Sequence, residues 1–162
     1  PFERKLPFRE KADVAEEFNH KYDVILFGLG RYGQAIALHL LQHNFKVLAV
    51  DFNPDEVNSW REKGHSAIYG DACDIDFMAS IPLKNTQWAI SAIPQHAPGV
   101  THNDPRLMLV KSLKAHQYKG KIAVSTQHAS QVEALKEKGV DMVFLPFQDA
   151  ADKAVEKIIH GY

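Results

Sequence analysis

Short apolar stretches alternate with segments of helical pattern along most of this chain. The stretches are rich in Val, Ile and aromatic residues. Continuous apolar runs of this length are typical of strands that are buried on both faces of a parallel sheet. We predict strands at Asp23–Phe27, Lys46–Val50, Ala67–Tyr69, Trp88–Ile93, Lys121–Ser125 and Met142–Leu145.

The segments between these runs carry the signals of helix ends. Asn53 and Asp104 each stand directly before a proline, which predicts a capping residue followed by a first-turn proline. Gly64 and Gly139 lie where a helix should stop before the next apolar run. Because strands and helices alternate, right-handed crossovers are expected. We therefore predict an α/β protein with a doubly wound, parallel six-stranded sheet and helices on both faces.

Composition fits one domain over residues 21–162. The chain has 162 residues, of which 45% are hydrophobic and 24% charged, as is ordinary for a globular domain. No run approaches the length of a transmembrane helix. The net charge of −1 lacks the basic excess of a nucleic-acid binder, so no nucleic-acid partner is expected. Residues 1–20 are rich in charge, and we predict that they form a linker.

The strongest chemical signal directly follows the first predicted strand. Gly28, Gly30 and Gly33 form a G-x-G-x-x-G motif between that strand and an amphipathic helix, which is the context of a dinucleotide fingerprint. The first glycine allows a tight turn, the second lets a pyrophosphate approach the backbone, and the third lets the helix pack closely. The N-terminus of the helix offers free N–H groups to a phosphate, and Arg31 adds a cation.

Two further segments fit an adenine nucleotide. Asp51 ends the second strand, where an acidic residue is expected to accept hydrogen bonds from ribose hydroxyls. A carboxylate there would repel a 2′-phosphate, so NADP should be disfavoured. Asp71 and Ala72 follow the third strand and lie where the adenine edge is expected, although Asp71 could instead cap a short helix. The irregular stretch 94–103 follows the fourth strand, where a doubly wound sheet reverses direction and binds ligand.

These stretches together resemble a known family. The segments GLGRYGQ, VLAVDFNPDEV, GHSAIYGDACD and VEALKEKGVDMVF are similar to the RCK/KTN domain, also called TrkA-N. Such domains regulate potassium channels, Trk/Ktr uptake systems and Kef-type cation:proton antiporters. The resemblance covers about residues 22–146. It implies a Rossmann-like fold, a homodimer, and binding of AMP or NAD(H), with ATP possible, that controls ion flux without catalysis and without a metal.

The resemblance also carries a set of binding residues onto this chain. The phosphate loop, the ribose acid, the adenine edge and the end of the fourth strand supply them, and Asn103 corresponds to an Asn that often opens the next helix. The residues expected to bind the nucleotide are Gly28, Leu29, Gly30, Arg31, Tyr32, Gly33, Asp51, Phe52, Gly70, Asp71, Ala72, Ser91, Ala92 and Ile93.

The family further implies a larger protein around this domain. Residues 1–20 would connect it to a transmembrane transporter domain of the same polypeptide, on the cytoplasmic side of the inner membrane. The chain lacks the smaller C-terminal subdomain of many members, which favours a Kef-like antiporter tail over a channel gating ring. The loop over 94–103 is longer than usual and lacks the acidic cluster often found there.

Two other functions compete with this interpretation. The chain could be the cofactor domain of an NAD-dependent oxidoreductase, but no second lobe follows the sixth strand to place a substrate. It could be an S-adenosylmethionine methyltransferase, but the third glycine of the loop favours a dinucleotide or AMP.

The remaining features have ordinary explanations. His96 and His102 lack the converging partners that a metal needs. Cys73 has no second cysteine to pair with, which fits a reducing compartment. The last predicted helix, Asp149–Ile159, is amphipathic and either packs on its own sheet or forms a partner surface.

Overall fold

The structure, a computed structural model, describes residues 19–94, 100 and 103–161. The predicted linker therefore lies almost wholly outside the described residues, and so do His96 and His102. Within the described part of the chain, no helix is long and apolar enough to cross a membrane.

Strands and helices alternate as predicted. The strands are β1 (Val24–Phe27), β2 (Val47–Asp51), β3 (Ala67–Tyr69), β4 (Trp88–Ser91), β5 (Lys121–Ser125) and β6 (Met142–Phe144). The helices are α1 (Arg31–Gln42), α2 (Pro54–Glu62), α3 (Ile75–Ser80), α4 (Pro105–Ala115), α5 (Val132–Glu137) and α6 (Pro146–His160), with a 3₁₀ turn at Ala129–Gln131 before α5.

The six strands form one parallel sheet in the order β3-β2-β1-β4-β5-β6. This order confirms the predicted Rossmann-like, doubly wound fold. Successive connections run outward in opposite directions from β1 and β4, which are neighbours in the sheet. The loops that leave these two strands therefore diverge and open a crevice at the carboxyl edge, where such sheets bind ligands.

The core has two layers, one on each face of the sheet. Along β1, Ile25 and Phe27 belong to one buried cluster, and Val24 and Leu26 belong to the other. All four side chains have no exposed surface. Because successive residues of a strand point to opposite faces, helices on both sides make the whole strand apolar. This double burial explains why the strands were visible as continuous runs.

The structure differs from the prediction at several strand ends and in the last helix: β1 and β2 each begin one residue later than predicted, and β2 ends one residue later, at Asp51. The fourth strand stops at Ser91, so Ala92 and Ile93 already belong to the loop. The sixth strand stops at Phe144. Helix α6 begins earlier than predicted, and none of its residues is buried. Packing of this helix into its own sheet is therefore wrong, and its apolar face is left exposed.

Candidate functional site

The glycine loop begins at a position that only glycine accommodates well. Gly28 has a φ of +102°, which L side chains rarely adopt, and a Cβ there would lie 3.1 Å from the carbonyl carbon of Ala92. Its N–H donates to the carbonyl of Val50 at 2.8 Å. The turn thus brings the loop against the ends of both β2 and β4.

The other two glycines differ in what a side chain would meet. A Cβ on Gly33 would overlap the carbonyl oxygen of Gly28, so this glycine lets α1 pack against the loop. A Cβ on Gly30 would meet nothing within 4 Å. Gly30 is the N-cap of α1, and no side chain caps the helix there. The space over this helix end is open, and the N–H groups of the first turn face it without a side-chain partner.

The two residues that open α1 point to different surroundings. Arg31 is exposed beside the open helix end. Tyr32 is half-buried and lines a shallow apolar groove with Ile36 and Leu40 on the outer face of α1. Burial, with a smaller contribution from the Asp149 carboxylate, raises the pKa of Tyr32 above its usual value. At the open helix end Tyr32 therefore offers only its backbone N–H.

Asp51 holds the glycine loop to the end of β2. Its Oδ2 accepts a hydrogen bond from the N–H of Leu29 at 2.7 Å, and its Oδ1 accepts one from the N–H of Asn53 at 2.8 Å. A carboxylate has about four lone-pair sites, so capacity remains for ribose hydroxyls. The acid predicted for ligand binding therefore also shapes the loop.

A glutamine that sequence reasoning missed clamps the same loop from the other side. The Nε2 of Gln34 donates to the carbonyl of Leu29 at 2.8 Å and to Oε2 of Glu56 at 3.1 Å. The only signal in the sequence was a long polar residue directly after the last glycine of the motif. Leu29 itself is fully buried, with both its N–H and its carbonyl bound by side chains.

The end of β3, where the adenine edge is predicted, lies beside the end of β2. The N–H of Gly70 donates to the carbonyl of Asp51 at 3.0 Å, which fixes the backbone there, and Ala72 is buried. Two aromatic side chains lie at the rim: Phe52 is 66% exposed and Tyr69 is 50% exposed. Flat apolar surface is thus available beside the position predicted for a purine.

Asp71 does not cap the short helix that follows. Its Oδ1 accepts from the N–H of Cys73 at 2.8 Å, and Asp74 caps α3 by accepting from the N–H of Asp76. The helix-cap alternative for Asp71 is therefore wrong, and its carboxylate stays at the exposed rim. Burial first, and Asp71 second, raise the pKa of the Cys73 thiol.

The end of β4 forms the facing wall. Ser91 and Ala92 are buried, and the N–H of Ala92 donates to the carbonyl of Phe27 at 2.8 Å. Ile93 is partly buried beside them. The predicted binding residues thus come from the carboxyl ends of β1, β2, β3 and β4, which meet at one edge of the sheet.

A buried ion pair lies farther along the same edge. Asp104, not Asn103, caps α4, and its carboxylate binds Arg106 at 2.6 Å with both side chains at most 1% exposed. Arg106 also donates to Oε1 of Gln131 at 3.1 Å, which in turn accepts from the hydroxyl of Thr126. The sequence predicted the cap but not the burial of these charges.

The described residues contain no group of three His, Cys, Asp or Glu side chains placed to hold a metal ion. The chemical resources of this edge are backbone N–H groups, one exposed guanidinium, carboxylates and aromatic rims. Groups of these kinds are suited to hydrogen bonding with a polar ligand.

Comparison with known proteins identifies similar domains. Residues 24–146 match the TrkA-N domain family. Ktr system potassium uptake protein C of Bacillus subtilis is 26% identical over 139 residues. The glutathione-regulated potassium-efflux system protein KefC of Escherichia fergusonii is 29% identical over 135 residues. These matches cover 86% and 82% of this chain but 60% and 20% of the two relatives, so the chain spans only part of either protein.

Two solved structures share the fold. The TrkA-N domain of inner membrane protein ybaL from Escherichia coli is 22% identical, with a TM-score of 0.71 over 85% of this chain and 97% of that chain. The GsuK channel bound to NAD is 16% identical, with a TM-score of 0.64 over 77% of this chain and 21% of that chain. At these identities the likeness extends to the fold alone.

Proposed function

The chain belongs to the TrkA-N domain family, and we propose that it is the nucleotide-binding regulatory domain of a monovalent cation transporter, a Kef-like cation:proton antiporter. One observation carries the nucleotide part of the proposal. The glycine loop leaves the N-terminus of α1 open and uncapped, with Asp51 held beside it. The relatives, which are a potassium-efflux protein and a potassium uptake protein, support the transport context.

The ligand we propose is AMP or NAD(H). NAD bound to the similarly folded GsuK supports a dinucleotide. The charges of the carboxyl edge favour a ligand of modest negative charge. Carboxylates follow β2 and β3, whereas Arg31 is the one exposed Lys or Arg in the first turns of α1 to α6 within the described residues. ATP and NADPH add negative charge that this edge does not balance, so both should bind more weakly. The acidic residues concerned are Asp51, Asp55, Glu56, Asp71, Asp74 and Asp76.

The domain would act by binding and not by catalysis. A nucleotide that binds one conformation more tightly than another shifts the balance between them by its difference in affinity. The relatives, which are potassium transport proteins, support this role. Residues 1–20 would join the domain to its membrane part on the cytoplasmic side.

A homodimer is part of the proposal, and α6 supplies its surface. Phe147, Val155, Ile158 and Ile159 recur at helical spacing and are 74%, 52%, 80% and 71% exposed. An apolar stripe of this kind on a 15-residue helix is a poor solvent-facing surface. A second copy presents the same stripe, and two antiparallel or parallel α6 helices would bury each other's apolar side chains.

Calorimetry on this chain tests the ligand. The panel is AMP, ATP, NAD, NADH, NADPH and S-adenosylmethionine. We expect AMP and NAD(H) to bind, ATP and NADPH to bind more weakly, and S-adenosylmethionine not to bind. Preferred binding of S-adenosylmethionine would replace this proposal with a methyltransferase, and hydride transfer to an added substrate would replace it with an oxidoreductase.

A variant pair separates ribose recognition from loop support. Asp51→Asn should weaken the binding of AMP by about 10- to 100-fold, because the ribose loses a hydrogen bond to a charged carboxylate. Asp55→Asn removes the same charge from the exposed start of α2 and should change affinity less than about threefold. Wild type should prefer AMP over 2′-deoxy-AMP, and Asp51→Asn should lose that preference. If the variant weakens both ligands equally, Asp51 acts only by holding the loop.

A further inference from the structure

The amino edge of the sheet, opposite the candidate nucleotide site, carries an exposed lysine at or just before every strand. These lysines lie at the strand starts or in the loops and helix ends that lead into them. In sheet order from β3 to β6 they are Lys63, Lys46, Lys21, Lys84, Lys119 with Lys121, and Lys138. Adjacent strands are about 4.8 Å apart, so the lysines follow a line about 24 Å long. We call this line the lysine edge.

Helix dipoles account for only part of the lysine edge. Lys63 and Lys138 are C-caps of α2 and α5, where a cation favours the negative end of a helix. Lys84 and Lys119 lie beyond the ends of α3 and α4, in the loops that enter β4 and β5. Neither forms an ion pair within the described residues. Their placement has no evident role in folding.

The central lysines are close together in space. Lys84 and Lys119 line one cavity of about 470 Å³ together with His116, between the loops that enter β4 and β5. Lys121 lies 6.0 Å from the ring of Trp88 on the neighbouring strand. This part of the edge therefore presents several cations over a short distance.

Carboxylates at the same edge do not cancel this charge. Asp23 and Asp141 each accept a backbone N–H from the adjacent strand, from Lys46 and Ile122 respectively. Glu62 and Glu137 lie at the ends of α2 and α5. The lysines outnumber these acids, whereas the carboxyl edge of the sheet has the opposite balance. The overall charge of −1 hides this separation.

We propose that the lysine edge faces an anionic phospholipid surface. A row of cations along one edge is complementary to a surface of negative charge, and polybasic segments bind such membranes through the sum of many weak attractions. The chain also enters the domain at this edge, because residues 19–23 lead directly into β1. A membrane part joined through the preceding segment would thus hold the lysine edge toward the bilayer. This step rests on the proposed transporter context, but the charge pattern does not depend on nucleotide binding.

Vesicle sedimentation with this chain tests the proposal. Vesicles of phosphatidylcholine alone are compared with vesicles containing about one-third phosphatidylglycerol, at low and at physiological salt. We expect binding to the anionic vesicles only, and weaker binding as salt rises. Each lysine near such a surface raises the partition coefficient onto the vesicles about fivefold. The triple variant Lys84→Gln, Lys119→Gln and Lys121→Gln should therefore have a partition coefficient about 100-fold lower than that of wild type.

The control triple variant removes the same charge elsewhere: Lys111→Gln, Lys153→Gln and Lys157→Gln, on the exposed surfaces of α4 and α6. The partition coefficient of this control variant should fall less than about threefold relative to wild type. Equal losses in both variants, absence of binding to anionic vesicles, or equal binding to neutral vesicles would each overturn the proposal. So would tighter binding to a single-stranded DNA oligonucleotide at the same salt, since that occupant would be a nucleic acid.

Nucleotide calorimetry on the same variants separates this proposal from the proposed function. The lysine-edge variant should bind AMP or NADH as wild type does, because its substitutions lie at the opposite edge of the sheet from the glycine loop. If nucleotides fail to bind but lipid binding follows the lysine edge, the ligand proposal fails and the surface proposal stands. If nucleotides bind but vesicles do not, the ligand proposal stands and the surface proposal fails.

Discussion

The contrast between Gly30 and Gly33 gives the sharpest test of the candidate site. Both belong to one motif, but only Gly33 has protein atoms where a Cβ would lie, since that Cβ would overlap the carbonyl oxygen of Gly28. Gly33→Ala must therefore displace α1 or the loop, and overpacking of this kind costs about 1–3 kcal/mol. For a domain of this size each kcal/mol lowers Tm by about 2–4 °C, so we expect a fall of about 2–12 °C.

Gly30→Ala should leave stability almost unchanged and should instead weaken nucleotide binding. A methyl group there meets nothing within 4 Å, and the backbone of Gly30 is extended, with φ of −65° and ψ of 179°, so alanine adopts it without strain. Stability should stay within about 1 kcal/mol of wild type, because a poorer N-cap is offset by a less flexible unfolded chain. The methyl group occupies the space over the helix end, where it would push a phosphate away from the N–H groups.

The loss of charge-assisted hydrogen bonds should weaken the nucleotide by about 10- to 100-fold. Thermal unfolding by circular dichroism and calorimetry with AMP and NADH measure both quantities for both variants. If Gly30→Ala binds as wild type does, no phosphate lies over this helix end and the site proposal is refuted. If Gly30→Ala lowers Tm as much as Gly33→Ala, the described packing of the loop is wrong.

Three other predictions follow from individual contacts. Arg106→Met leaves the fully buried carboxylate of Asp104 unpaired and should lower the free energy of unfolding in urea by about 3–5 kcal/mol. The double variant with Asp104→Asn removes that buried charge and keeps a cap for α4, so it should recover part of the lost stability. Ile158→Asp should shift the mass in light scattering from dimer to monomer, and the monomer should keep the circular dichroism spectrum of the folded chain, because the side chain is 80% exposed within one copy. At pH 8 Cys73 should react with iodoacetamide more slowly than it does in the urea-unfolded chain, because its raised pKa leaves less thiolate, and Asp71→Asn should speed the reaction.

The fold could be predicted because burial on both faces leaves a plain signal in the sequence. Leu26 and Phe27 point to opposite layers, so β1 reads as one apolar run, and the other strands follow the same rule. The parallel order of the strands then places the residues of the candidate site together. Once the strands are parallel, residues that follow β1, β2, β3 and β4 must meet at one edge, however far apart they are in sequence.

Contacts that depend on side-chain direction could not be predicted. Arg106 meets Gln131 across 25 positions, and nothing in the local pattern shows that a guanidinium two residues after a cap turns inward. The alternative role of Asp71 as a helix cap belongs instead to Asp74, which offers the same chemistry three residues later, directly before α3. Helix α6 has an amphipathic pattern that any packed helix would share, so the sequence alone could not show that its apolar face is left open.

The helix dipole favours charges of opposite sign at the two edges of the sheet. Helix N-termini gather at the carboxyl edge and helix C-termini at the amino edge, so acids at the first edge, and Lys63 and Lys138 at the second, stabilise helix ends. At the carboxyl edge, however, the glycine loop leaves α1 without an acidic residue in its first turn, and Arg31 stands there instead. Among the six helices of the described residues, α1 alone has no acidic residue at its N-cap or in its first turn, and this helix end lies beside Asp51. We therefore expect a phosphate to bind at that point, and we expect the acids around it to limit how much further negative charge the ligand can carry.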